Sequence, residues 1–250
     1  MRDVAAPDRP WAGRMGWRDL AFLHWPVRPD VMRPLVPASL EIDVFDKQAW
    51  IGVVPFRMEG VKMRGAPPVP TAHAFPEINV RTYVRAAGRA GVWFFSLDAT
   101  SRLAVRGARF LYNLPYFDAE ITLKPEAGAI HYESTRVHRG APGATFVARY
   151  HPVGDIYEPE PGTLDHFLVE RYCMFMVDPR SGLGLVDVDH EPWPLQRGAV
   201  ELSVNTMVDP TGISLPPVAP VVHVAGALDV RAWTRTQVAQ GAEREGGVRP

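Results

Sequence analysis

Period-two alternation is the dominant pattern along the chain. Ile78-Asn79-Val80-Arg81-Thr82-Tyr83-Val84-Arg85 alternates throughout and predicts a strand with two unlike faces. Ile78, Val80, Thr82 and Val84 form the apolar-leaning face. Asn79, Arg81, Tyr83 and Arg85 form the polar one, with Glu77 ahead of them in the same phase. Ala87-Gly88-Arg89-Ala90-Gly91 turns the chain into a second strand, Val92 to Leu97. Leu20 to Trp25 and Ala49 to Phe56 are apolar almost without interruption and predict buried strands. Leu40 to Phe45 alternates apolar with acidic residues, as a half-exposed strand does.

Further strands are expected at 117–123, 129–137, 145–150, 171–177, 183–189, 199–205 and 221–233. The period lengthens to three or four over Leu103, Ala104, Gly107, Ala108 and Leu111, which predicts a helix over 102–112. Short helices are expected at 30–35 and 163–170. Residues 60–74, with Pro67, Pro68 and Pro70, read as a loop. Runs of strands, rather than alternating βαβ units, argue for a mainly antiparallel β-barrel with a few short peripheral helices, an α+β fold. A single domain over 17–235 is expected, with flexible ends at 1–16 and 236–250.

Composition narrows the function. The 250 residues carry 27 basic and 28 acidic side chains, a net charge of -1, which speaks against a nucleic-acid partner. No stretch approaches the roughly 18 apolar residues of a membrane span. A soluble, cytoplasmic protein without a membrane partner is expected. One cysteine, Cys173, excludes an intrachain disulfide framework, and its apolar neighbours read as those of a buried inert thiol. The eight histidines show none of the close spacings of a metal motif. No phosphate-binding loop, dinucleotide fingerprint or nucleophile elbow occurs, so neither a metal nor a cofactor is expected. Edge strands and the apolar 221–230 segment are consistent with a homo-oligomer.

Three local features carry candidate chemistry. The polar face of the 78–85 strand serves either as a solvent face or, in a closed sheet, as the wall of a cavity. Arg102, Arg106 and Arg109 form one stripe on the 102–112 helix, a solvated face or an anion-binding one. Leu114-Pro115-Tyr116-Phe117-Asp118 then makes a rigid helix-to-strand corner.

Phe22-Leu23-His24-Trp25-Pro26-Val27, Phe75-Pro76-Glu77-Ile78-Asn79-Val80-Arg81-Thr82-Tyr83-Val84, Gly91 to Asp98, Leu114 to Ala119 and Asn205-Thr206-Met207 resemble the acetoacetate decarboxylase-like superfamily, and within it the uncharacterised YqjF-like branch. The resemblance runs through most of residues 16–234. It implies a barrel with an internal small-molecule pocket. Arg18 ahead of Leu40-Glu41-Ile42-Asp43, and Glu77 in Phe75-Pro76-Glu77, are similar to segments of the decarboxylases. Their corner, of Tyr-Pro-Lys-Lys type, supplies the Schiff-base lysine and a second lysine that lowers its pKa. Here Leu114-Pro115-Tyr116-Phe117 stands in its place, and both lysines are missing.

Lys47, Lys62 and Lys124 are the only lysines. None occupies the corner, so iminium formation, which needs a primary amine, is not expected there. Arg18, Glu77 and Tyr116 remain as candidate catalytic groups. They would be an anion clamp, an acid or base with a raised pKa, and a donor to a carbonyl oxygen. Asn79, Arg81, Arg109, Tyr112 and Phe117 are candidate substrate-binding residues. Each has a plainer reading: Arg18 paired with Asp19 or a loop acid, Glu77 capping amides after Pro76, Tyr116 as core. The expected function is that of a cofactor-independent lyase or isomerase acting on a small carbonyl or carboxylate compound. The alternative is a non-catalytic protein that binds a small ligand.

Overall fold

In a computed structural model the described residues are 5–67 and 73–238. Among the described residues fifteen strands and three short α-helices follow one another. Strand β1 (Gly13–Arg18) precedes β2 (Leu20–Val27), helix α1 (Pro29–Met32), β3 (Glu41–Ile42), β4 (Ala49–Met63), β5 (Phe75–Ala86) and β6 (Arg89–Ala99). Helix α2 (Arg102–Tyr112) leads to β7 (Tyr116–Glu126), β8 (Ala129–Arg136) and β9 (Thr145–Tyr157). Helix α3 (Leu164–Val169), β10 (Cys173–Asp178), β11 (Gly182–His190), β12 (Leu195–Asn205), β13 (Val221–Ala225), β14 (Leu228–Ala232) and β15 (Thr236–Gln237) complete the order.

The strands form a single sheet that closes on itself in a ring, and its pairings trace two circuits sharing β4, β5 and β6. One runs β1–β14–β11–β10–β6–β5–β4 and back to β1. The other runs β6–β7–β8–β9–β12–β13–β2–β4–β5 and back to β6. Ladders are antiparallel except β6–β7 and β10–β6. The β6–β7 pair is parallel because α2, the helix expected over 102–112, crosses over between them in a single βαβ step.

Alternation along the shared strands assigns their two faces. Ile78, Val80 and Val84 of β5 join Leu23, Ile51, Val53, Tyr132, Phe146 and Tyr150 in one apolar core, which fills the second circuit. Glu77, Asn79 and Arg81 point the other way, into the first circuit. A bulge in the β5–β6 ladder between Val80 and Arg81 skips Phe95. Phe94 and Leu97, three residues apart, therefore share a face that strict alternation would deny them.

Several boundaries differ from expectation. Residues 13–16, expected in a flexible lead-in, belong to β1, which closes the first circuit. Residues 60–63 of the expected 60–74 loop continue β4, while 68–72 lie outside the described residues. The expected 40–45 strand shrinks to Glu41–Ile42. The single strand expected over 221–233 is two, β13 and β14, separated at Gly226 and Ala227. Of the expected flexible ends, residues 1–4 and 239–250 lie outside the described residues, and Thr236–Gln237 pair with β11.

Candidate functional site

Every strand of the first circuit contributes to the wall of a cavity of about 480 Å³. Its lining is overwhelmingly apolar: Trp17 from β1, Phe56 from β4, Met174 from β10, Val188 from β11 and Val230 from β14 are typical. Phe22 of β2 and Trp193 pack edge to face at 5.1 Å, and Trp17 stacks on Trp193 at 5.6 Å. Leu103 and Gly107 of α2, with Met63, Ala66 and Pro67, border the cavity at the helix side. Among the described lining residues the ionisable groups are Glu77, Arg81 and Tyr116.

Glu77 and Tyr116 come from strands that do not pair with each other. Glu77 lies opposite Ala99 in the β5–β6 ladder, and Tyr116 lies beside Leu97 in the β6–β7 ladder. The corner that delivers Tyr116 is fixed at several points. Asn113 ends α2 with a left-handed φ of 51°, a conformation asparagine tolerates. Its Nδ2 donates to the Val177 carbonyl at 2.7 Å. The Leu97 amide donates to Pro115 O at 3.0 Å, and Arg109 donates to Tyr116 O at 2.8 Å. Tyr116 Oη then donates to Glu77 Oε2 at 2.9 Å. From the far side Tyr132 donates to the Glu77 backbone carbonyl at 2.8 Å.

Glu77 is 1% exposed. Burial pushes its carboxyl up to about 8; the Tyr116 hydrogen bond works against that rise and the nearby Asp98 adds to it. At neutral pH the group is therefore predominantly protonated. Burial, with Glu77 alongside, holds the Tyr116 phenol well above its ordinary range, so Tyr116 stays a donor. Oε1 of Glu77 takes no hydrogen bond from the described residues, which leaves the acid proton for whatever occupies the cavity.

The other candidates fall in different places. Arg18 does not join Glu77 and Tyr116. On β1, Trp17 faces the cavity and Arg18, one residue on, faces away. Its guanidinium reaches Leu228 O at 2.8 Å, Asp229 at 2.9 Å and Glu59 at 3.2 Å, on the rim of a neighbouring depression of about 740 Å³. The expected anion clamp in the chamber is thus an arginine already paired with two acids outside it. Phe117 also faces away from the cavity. Arg136 lies 4.2 Å over its ring, and His138 packs edge to face on it at 5.5 Å. Arg109 braces the corner backbone rather than lining the cavity. The side chain of Tyr112 lies outside the described residues. Asn79 and Arg81 do line the cavity, with Asn79 Oδ1 buried and unpartnered among the described residues.

Sequence reasoning did not single out the pair beneath the site. Asp98 and Arg136 form a fully buried, two-pronged ion pair at 2.7 and 2.8 Å. Its signal was an acid at the end of an otherwise apolar strand, Val92 to Leu97. Asp98 pairs with Ile78 across the β5–β6 ladder, close enough to disfavour charge on Glu77. Lys47, Lys62 and Lys124 are all exposed, and none lines either depression.

A family model described as an uncharacterized conserved protein family, DUF2071, matches residues 14–229. The chain belongs to this family. It is 42% identical over 232 residues to the uncharacterized protein YqjF of Bacillus subtilis (strain 168), an alignment spanning 93% of this chain and 95% of YqjF. The fold is that of acetoacetate decarboxylase-like proteins. The enduracididine biosynthesis enzyme MppR in complex with pyruvate superposes with a TM-score of 0.66 at 13% identity, covering 96% of this chain and 95% of that one. Acetoacetate decarboxylase from Legionella pneumophila superposes with a TM-score of 0.59 at 15% identity, over 95% of this chain and 93% of the enzyme.

Proposed function

We propose that the cavity is a small active site in which Glu77 moves a proton next to a carbonyl, in the manner of a cofactor-independent lyase or isomerase. One observation carries this reading: a buried carboxyl, held by a phenol at 2.9 Å, forms part of the wall of a largely apolar chamber. A group that titrates near 8 is matched to proton transfer in either direction near neutral pH. As Glu77 releases its proton, the Tyr116 hydroxyl steadies the carboxylate that forms. This differs from the sequence expectation, in which Tyr116 donated to the substrate oxygen; its one proton is committed to Glu77.

A small carbonyl or carboxylate substrate is supported by the pyruvate named in the MppR complex and by the keto acid in the decarboxylase's name. Schiff-base chemistry is not part of the reading, because the three lysines are exposed and none is among the residues lining the cavity. The test follows deuterium exchange at the carbon next to the carbonyl, by proton NMR, for a panel of ketones and keto acids in heavy water. Wild-type protein is expected to exchange at least one member and Glu77→Gln none. Exchange that survives in Glu77→Gln removes the role assigned to Glu77.

The preponderance of apolar lining favours a second reading, a chamber that only holds a ligand. Ligand-dependent melting in the absence of any exchange would select it.

A further inference from the structure

Arg81 lies at the far end of the same chamber, and its charge is not neutralised. Other guanidiniums buried in the fold have acids: Arg136 has Asp98, and Arg171 has Asp43 at 2.6 Å. Among the described residues no carboxylate lies within ion-pairing distance of Arg81. Its Nη2 donates to Leu168 O at a long 3.3 Å, and its Nε is buried without a partner among the described residues. The cation rests over the rings of Phe22 at 5.1 Å and Tyr83 at 5.7 Å. A half-buried guanidinium in apolar surroundings gains a great deal from an incoming anion, because its own desolvation is already in place.

Arg81 and Glu77 share a face four residues apart, which sets their Cα atoms about 13 Å from each other along the strand. The guanidinium lies towards Tyr83, two residues further on, so the charge is on the side of Arg81 remote from Glu77. Between the two ends Asn79 is the polar residue on this face, its Oδ1 unpartnered among the described residues, and the remaining wall of Val54, Phe94, Leu97, Met174 and Val188 is apolar. In an α- or β-keto acid, carboxylate and carbonyl are only one or two carbons apart. Such a compound does not reach from Arg81 to Glu77.

We propose that this cavity accepts a medium-chain carboxylate, its anion held by Arg81, its apolar chain along the wall, and its reactive end presented to Glu77. The proposal rests on reading the cavity as a ligand site and names the class of compound that fills it. Binding of octanoate, 1-octanol, pyruvate and acetoacetate to the full-length protein, measured by calorimetry at pH 7, tests it. Octanoate is expected to bind about tenfold or more tighter than either 1-octanol or the short keto acids. Arg81→Gln is expected to erase the preference for octanoate over octanol, and Arg81→Lys to restore part of it.

Equal affinity for octanoate and octanol in the wild type overturns the proposal, as does a preference for pyruvate. These comparisons need no variant, so a poorly folded Arg81→Gln leaves the test intact. An octanoate preference without deuterium exchange by any substrate removes the catalytic reading and keeps the anchor. Exchange without an octanoate preference does the reverse.

Discussion

Tyr116 Oη stands 2.9 Å from Glu77 Oε2 although their strands lie on opposite sides of β6. The α2 crossover makes this meeting geometric rather than accidental. It returns the chain parallel to β6, so that Tyr116 comes to rest beside Leu97, diagonal to Glu77. The hydrogen bond favours the charged carboxylate, while burial and Asp98 favour the neutral acid. Removing either influence shifts the balance in a known direction.

Tyr116→Phe deletes the donor and is expected to raise the apparent pKa of Glu77 above about 8. The check is the pH midpoint of the Glu77 carboxyl carbon by NMR. A midpoint that falls would show that the phenol does not support the charged form. The lost hydrogen bond is expected to cost about 1 kcal/mol of stability in chemical denaturation.

Glu77 also links stability to pH. Its folded pKa of about 8 is above its ordinary 4.5, so the folded state holds this proton more tightly than the unfolded chain does. The corresponding stabilisation is complete below about 4.5 and is lost as pH rises to about 8, at roughly 1.4 kcal/mol per pH unit. Buried His24, His190 and His223 work in the opposite sense below their ordinary range, because burial lowers each. The informative quantity is therefore wild type minus Glu77→Gln. That difference is expected to fall steadily between pH 5 and pH 8 in urea titrations, and a flat difference would contradict the raised pKa.

The Asp98–Arg136 pair is more costly to split than to keep. Asp98→Asn strands a buried guanidinium and Arg136→Met strands a buried carboxylate, each expected to cost about 3–5 kcal/mol. Asp98→Asn also removes one of the influences that disfavour charge on Glu77, so the Glu77 midpoint is expected to drop. Equilibrium denaturation and the same carboxyl titration read both effects, and a stability change below about 1 kcal/mol would show the pair to be dispensable.

Gly91 permits the close approach of β6 and β10. A Cβ there would meet Cys173 Sγ at 2.6 Å and the Cys173 carbonyl at 2.7 Å, and a backbone oxygen cannot swing aside. Gly91→Ala is expected to destabilise by about 1–3 kcal/mol and to disturb Met174 on the cavity wall. A thermal melt indistinguishable from wild type would show that the strands separate without cost.

Much of this arrangement was legible in the chain. The alternation of Glu77, Asn79 and Arg81 against Ile78 and Val80 marks a strand with a polar face, and in the structure that face lines the cavity. Helix α2 and its proline corner were readable from a change of period and one residue type. Arg18 was not, because a resemblance gives its place in the chain but not its phase on a strand, and one position of phase separates chamber from rim. β1 itself was obscured by Gly13 and Gly16, whose lack of side chains breaks the alternation of Met15 and Trp17. The Asp98–Arg136 pair joins β6 to β8, and no local pattern announces a partner 38 residues away.

The protonation of Glu77 at neutral pH is the claim on which the proposed chemistry stands. Infrared difference spectra of wild type against Glu77→Gln, recorded from pH 5 to pH 10, read it directly. A protonated-carboxyl band present at pH 7, absent from the variant and vanishing with a midpoint near 8, is the expected result. A Glu77 carboxylate already ionised at pH 6 would contradict it.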